Sequence, residues 1–209
     1  MRIIDLTHSI EEDMIAYCKE ESAKIEPLST IKRDGYNVLK IQLSTHTGTH
    51  IDSPRHIFED GITISEINLN KFIGTAYMID CSDTEEIDLD TILKHEYEIR
   101  NVEYLILKSG WESKWNTEIY FKDYPTLSYE ASKFLSELDN LNGIGVDCIS
   151  IDSDDGELYN HKNLLLKGKI IIENLCNLND IEERFKIIVS PLKLKDADGA
   201  PARVYALIG

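Results

Sequence analysis

Residues 36–58 read YNVLKIQLSTHTGTHIDSPRHIF. The first half alternates in the manner of a strand, with Val38, Leu39, Ile41 and Leu43 carrying the apolar load. The second half holds three of the chain's six histidines within eleven residues, with an aspartate among them. Either this is a histidine-rich surface turn, or these side chains are aimed at one point. His46, His50 and Asp52 share parity, so a locally extended chain sends them to one face. A helix would also align His46 with His50, but three β-branched threonines, Gly48 and Pro54 make it the poorer choice. Full extension would separate the α-carbons of His46 and His50 by about 13 Å. That is near the limit for two imidazoles sharing an ion at roughly 2.0–2.1 Å from each nitrogen. The chain is therefore expected to curl at Gly48, the residue that permits it.

Imidazole and carboxylate together suit zinc or manganese, whereas calcium takes oxygen ligands alone. Asp52 has two oxygens and could bridge a second ion. His56 is the candidate for proton transfer, because imidazole ordinarily titrates near neutrality.

A second group of ligands is expected in NHKNLLLKGKIIIENL, residues 160–175. His161 follows the acidic turn DSDDGELYN, and Glu173 ends the apolar run KIIIE, where a buried charge needs a partner. A metal is one such partner; solvent or a lysine at a strand end is the other. The turn itself is no EF-hand. With Gly156 in the glycine position, the first ligand would be Ile151 and the twelfth Lys162.

The motif HTGTHIDSPRH resembles the signature of the metal-dependent cyclase family, which includes bacterial kynurenine formamidase (arylformamidase) and isatin hydrolase. The resemblance extends over nearly the whole chain, through DLTHSI, GVDCISID, the spacing from His161 to Glu173, IIIENLCNL and GAPARVYALIG. It implies that His46, His50 and Asp52 hold one divalent metal. Asp52 would reach a second with His161 and Glu173, and His56 would serve proton transfer. It also implies a cyclase-type swivelling β/β/α fold, zinc or manganese as cofactor, and a homodimer or larger homo-oligomer. Family members commonly carry an aromatic and proline-rich stretch near residues 15–20. This chain has IAYCKEES there, which leaves the metal residues untouched and the substrate open.

The rest of the chain fits one domain over residues 1–209. FIGTAYMIDC, VEYLILKSGW, GIGVDCISI, KGKIIIENL, RFKIIVSPLKL and ARVYALIG read as strands, and RIIDLTHSI as a short strand entering a turn. DLDTILKHEYEIRN has helical spacing, and SYEASKFLSELDNLNG reads as a helix capped by Ser128 and stopped by Gly143. Residues 10–35 look irregular. The expected class is α/β, with a mixed, partly barrel-like sheet flanked by helices.

A formal charge of −16 argues against nucleic-acid backbones and anionic membranes as partners. No apolar run approaches the roughly 20 residues that cross a bilayer. The start lacks the layout of a secretory signal, and four scattered cysteines without a CxxC pair read as reduced thiols in the cytoplasm. Cys148 reads as a small buried residue rather than a nucleophile. Ser109 lacks a GxSxG elbow. The lone GIG at 143–145 does not specify a nucleotide. His95 is expected to be an exposed helical residue, and His8 has no assigned partner.

The expected activity is hydrolysis of an N-formyl aryl amine such as N-formylkynurenine to formate and the amine, by metal-activated water. Hydrolysis of a cyclic amide or lactone, and metal-dependent binding of a small molecule without turnover, are the alternatives.

Overall fold

A computed structural model describes residues 1–154 and 156–209; Asp155, in the acidic turn quoted above, lies outside the described residues. The chain opens with β1 (Arg2–Asp5) and then builds a hairpin from β2 (Lys24–Ser29) and β3 (Val38–Gln42). One helical turn, α1 (Ile31–Asp34), joins the two strands, and Gly35 closes it in the left-handed region at φ 84°. Next come β4 (His50–Asp52), β5 (Ile73–Asp80) and β6 (Glu86–Ile87). Two short helices, α2 (Leu89–Leu93) and α3 (Glu96–Ile99), precede β7 (Tyr104–Lys108). The remainder runs β8 (Thr126–Leu127), α4 (Tyr129–Ser136), β9 (Gly143–Val146), α5 (Tyr159–Leu166), β10 (Ile170–Glu173), β11 (Arg184–Pro191) and β12 (Gly199–Ile208).

The main sheet runs β1-β12-β11-β5-β7-β9-β10-β4, and a further pairing of β12 with β4 closes it into a ring. The pairs β5–β7, β7–β9 and β9–β10 are parallel, and the others in this sheet are antiparallel. β4 is the seam: Ile51 faces Ile172 of β10 on one side and Ala200 of β12 on the other.

Strand periodicity separates two cores. Ala76, Met78, Tyr104, Ile106, Ile170 and Ile172 pack inside the ring with Ile51, Ala200 and Val204. Their neighbours Tyr77, Ile79, Leu105, Leu107 and Ile171 point outward, into a second core that holds Ile92, Ile99, Ala131, Leu135, Leu164 and Leu165 from the helices. Each fully buried aliphatic side chain contributes roughly 1.5–3 kcal/mol. The α/β class, the mixed barrel-like sheet and the flanking helices agree with the sequence reading.

Several local expectations change. The strand read through residues 36–48 ends at Gln42, and its apolar residues are not core: Leu39 and Ile41 are 57% and 56% exposed. Residues 10–35 are not wholly irregular, because β2 and α1 lie within them. Ser128 does cap α4 by accepting the Ala131 N–H, but the helix ends at Ser136. Gly143 opens β9 instead, where a Cβ would sit 2.6 Å from the Ile170 carbonyl oxygen. Residues 159–166 form a helix that the periodicity did not announce.

Candidate metal centre

The seam strand explains the convergence. In antiparallel pairs, directly opposed residues point to one face. Glu173 stands opposite His50, and both Ile171 and Gly199 stand opposite Asp52. Ile51 turns into the ring, so His50 and Asp52 turn outward on the side where α5 packs. His161, in the first turn of α5, completes the group from above. His46 arrives differently: the chain reverses at Gly48, which has φ 63°. Asn174 braces that turn, its side-chain amide donating to the Gly48 carbonyl at 2.9 Å. Gly199 leaves the space His46 fills, since a Cβ there would meet His46 Cε1 at 2.8 Å. His56 ends the 3-10 turn Pro54–His56.

Each histidine has one nitrogen held by an outer acceptor and the other turned inward. His50 Nδ1 lies 2.8 Å from the Gly48 carbonyl, which can only accept, so Nδ1 donates there and Nε2 is the nitrogen turned inward. Nε2 then stands 3.3 Å from Glu173 Oε2 and 3.5 Å from Asp52 Oδ1. His161 Nδ1 is 2.7 Å from Asp152 Oδ2, and its Nε2 is 3.4 Å from Asp52 Oδ2 and 3.5 Å from Glu173 Oε1. His46 Nε2 is 2.9 Å from Asp198 Oδ2, while its Nδ1 is 2.8 Å from Asp52 Oδ1. Fixing the outer nitrogen to set the tautomer and aim of the inner one is the common arrangement around metal-ligating histidines.

Of the inner atoms, Glu173 Oε1 accepts the Ile151 N–H at 2.9 Å. His50 Nε2 and both carboxylate oxygens of Asp52 are buried without a partner of hydrogen-bonding geometry. Asp52 is 0% exposed, and an isolated buried carboxylate costs several kcal/mol. The close approach of His46 to Asp52 Oδ1 is thus electrostatic contact rather than a well-directed hydrogen bond. A tetrahedron of ligands about 2.05 Å from zinc has edges of about 3.3 Å. The His50–Glu173 and His50–Asp52 separations have that length, and the donor set of imidazole and carboxylate suits zinc or manganese. Donor atoms of His50, Asp52 and Glu173 lie within 4.8 Å of one another, as do those of His46, Asp52 and His56.

Charge supports the same fit. Burial alone would lower the His46 ring, but the charge and close contact of Asp52, with the hydrogen bond to Asp198, hold it at about 10. His161 is likewise disfavoured by burial and held at about 10 by Asp152, Asp52 and Glu173. Burial works to raise Asp52, and the His46 charge with contacts from His161 and His50 keeps it well below the usual carboxylate range. The pocket is built to hold positive charge.

The sequence-level candidates His46, His50, Asp52, His56, His161 and Glu173 are all brought together here. Three residues were missed. Asp198 binds His46, and its Oδ2 also lies 3.3 Å from His56 Nδ1. It is placed by Ser53, whose N–H and hydroxyl both donate to the Asp198 carbonyl. Asp152 orients His161, and Asn174 braces Gly48. Asp152 carried a usable signal: like Glu173, it is an acid ending an apolar run, in GVDCISID.

The other singled-out residues fall elsewhere. Ser109 is buried and donates to Asp147 at 2.6 Å. Burial pushes the Cys148 thiol well above its ordinary range, which keeps it protonated. His95 is only half exposed, with Nδ1 3.0 Å from the Tyr77 hydroxyl, which corrects the expectation of an exposed residue. His8 stacks flat on Trp115, with centroids 3.8 Å apart and planes at 7°. No helix among the described residues is long and apolar enough to cross a membrane.

Known proteins share this architecture. The family model described as "Putative cyclase" matches residues 4–153. The kynurenine formamidase of Bacillus mycoides (strain KBAB4) is 33% identical over 203 residues, covering 96% of this chain and 94% of that protein. Isatin hydrolase A from Labrenzia aggregata, solved with benzyl benzoate bound, matches at TM-score 0.87 and 28% identity over 99% of this chain and 93% of its own. A solved "Potential Metal-Dependent Hydrolase With Cyclase Activity" matches at TM-score 0.82 and 28% identity over 98% and 96% of the two chains. The chain belongs to the cyclase family.

Proposed function

From that membership we propose that the chain is a metal-dependent amidohydrolase that cleaves an N-formyl aryl amine to formate and the free amine. The observation that carries this reading is the inward set of His46, His50, Asp52, His161 and Glu173, with His50 Nε2 and the Asp52 oxygens buried and unpartnered. Those five residues would hold one or two divalent ions, zinc or manganese, with Asp52 shared. When bound, such an ion polarises a carbonyl and makes water acidic enough to supply hydroxide near neutral pH.

The remaining chemistry falls to the protein. His56 lines the cavity above the five, half-buried, with Asp198 behind it. It takes the proton of the attacking water and returns it to the leaving nitrogen, which departs as the neutral amine. Asp198 orients that ring and offsets the positive charge it gains. A second reading, opening of a cyclic amide or lactone, is favoured by the fold match to isatin hydrolase A at TM-score 0.87.

Chelation followed by reloading with zinc or manganese, with N-formylkynurenine and isatin assayed in parallel, tests both readings. Activity that disappears on chelation and returns with metal is expected. Turnover that survives complete metal removal sinks the proposal.

We read residues 1–209 as one domain, supported by the pairing of β1 with β12 and by a site that draws on residues from both halves of the chain. A homodimer or larger homo-oligomer is supported by the uncovered apolar side chains of the β2–β3 hairpin. A reducing location such as the cytoplasm is supported by four free cysteines.

A further inference from the structure

The cavity over the metal centre has a volume of about 380 Å³, enough for a one- or two-ring substrate. Its upper walls are Met14, Ile15, Trp115, Tyr124, Ile149 and Leu158. Trp115 is held flat by His8, so one aromatic wall has a fixed plane. The charges on these walls are of one sign. Glu21 and Asp154 stand at the lining, and the described lining residues include no lysine and no arginine.

That distribution bears on the substrate. A carboxylate entering this space would lose water against apolar walls, gain no basic partner, and face two like charges. The one positive region within reach is the metal centre itself. A carboxylate drawn there would occupy the place of the carbonyl to be cleaved, and would inhibit. An aryl amide without a carboxylate meets none of these penalties and can lie along the aromatic wall.

Resting on the hydrolase reading above, we propose that the cavity favours aryl amides and lactams that carry no carboxylate, and that it turns over their carboxylated counterparts more slowly. Selection against an uncompensated charge in such a cavity is expected to be on the order of 10- to 100-fold in kcat/KM.

The test compares pairs that differ by one charge at constant ring and scissile bond. Methyl N-formylanthranilate is set against N-formylanthranilate, and the methyl ester of N-formylkynurenine against the free acid, both with metal-loaded enzyme. The ester of each pair is expected to react about tenfold faster or more in kcat/KM, with anthranilate a competitive inhibitor. Equal or faster turnover of the acids overturns the proposal and leaves the hydrolase reading standing. No turnover of any N-formyl arylamine or of isatin overturns both. A second arm places a cation on the wall with Ser153→Arg, which should narrow the ester-to-acid ratio about tenfold. A ratio that does not move removes the charge argument.

Discussion

β3 and β4 are consecutive strands that invert the usual placement of side chains. β3, with Val38, Leu39 and Ile41, is exposed along its whole length and pairs only with β2 among the described residues. β4, with His50 and Asp52, is buried along its whole length and paired on both sides. A two-stranded hairpin open on both faces is marginal in water, and a buried carboxylate without a partner is costly. Each strand is thus incomplete alone. The first wants an apolar cover and the second a cation, and the pattern of discomfort says which.

The largest expected effect attacks the cation side. Asp52→Asn keeps the shape and removes the shared charge, so metal content by elemental analysis should fall and hydrolysis should drop at least about a thousandfold. Full metal occupancy in that variant would break the contrast between the strands. His56→Ala should lose on the order of 10²–10⁴-fold in kcat with metal content intact, which separates proton transfer from ligation. Loss of metal in that variant would make His56 a ligand alongside His46 and Asp52. Asp198→Asn should cost on the order of 10–100-fold in metal affinity or activity, since it acts through His46 and His56. Unchanged metal affinity and an unchanged pH profile would remove it from the site.

A smaller effect concerns the metal-free protein. His46 and His161 are both held at about 10 in the fold, above the ordinary 6.5 of imidazole. Raised folded values favour the fold fully below pH 6.5, and that contribution is lost as pH rises towards 10. The Tm of chelated protein should therefore fall across that range, whereas metal-loaded protein should hold because the ion replaces the protons. A chelated Tm that rises with pH would contradict this account. The smallest change in fold stability is expected on the other strand: Ile41→Ser should shift unfolding by no more than about 0.5 kcal/mol. The same variant should weaken self-association in sedimentation experiments. A monomeric parent protein, or an unaltered oligomer in the variant, would leave the apolar face of β3 without this explanation.

The legible parts of the molecule were those written locally. His46, His50, Asp52 and His56 sit in one motif whose parity and glycine are visible in the sequence, and the apolar runs of β5, β7, β9, β10, β11 and β12 announce strands. Asp198 and Asn174 were not legible. They lie far along the chain from the groups they hold, and only the seam register and the Gly48 turn bring them there. α5 was missed because Leu164, Leu165 and Leu166 are consecutive, so two of them are buried and Leu166 is exposed without a clean helical stripe. β3 misled in the opposite sense. Its alternation is genuine, but it reports a surface that its own chain does not cover.

β4, three residues long, is also where the ring is fastened, between β10 and β12. The residues that draw charge into the pocket are thus the same ones that button the sheet. Starving the protein of metal would leave that stitch balanced only by protons on His46 and His161, and amide exchange should quicken there first as pH rises. An unbuttoned ring presents two raw strand edges, an invitation to pair with neighbouring molecules. Metal scarcity would then threaten this protein with precipitation as well as idleness.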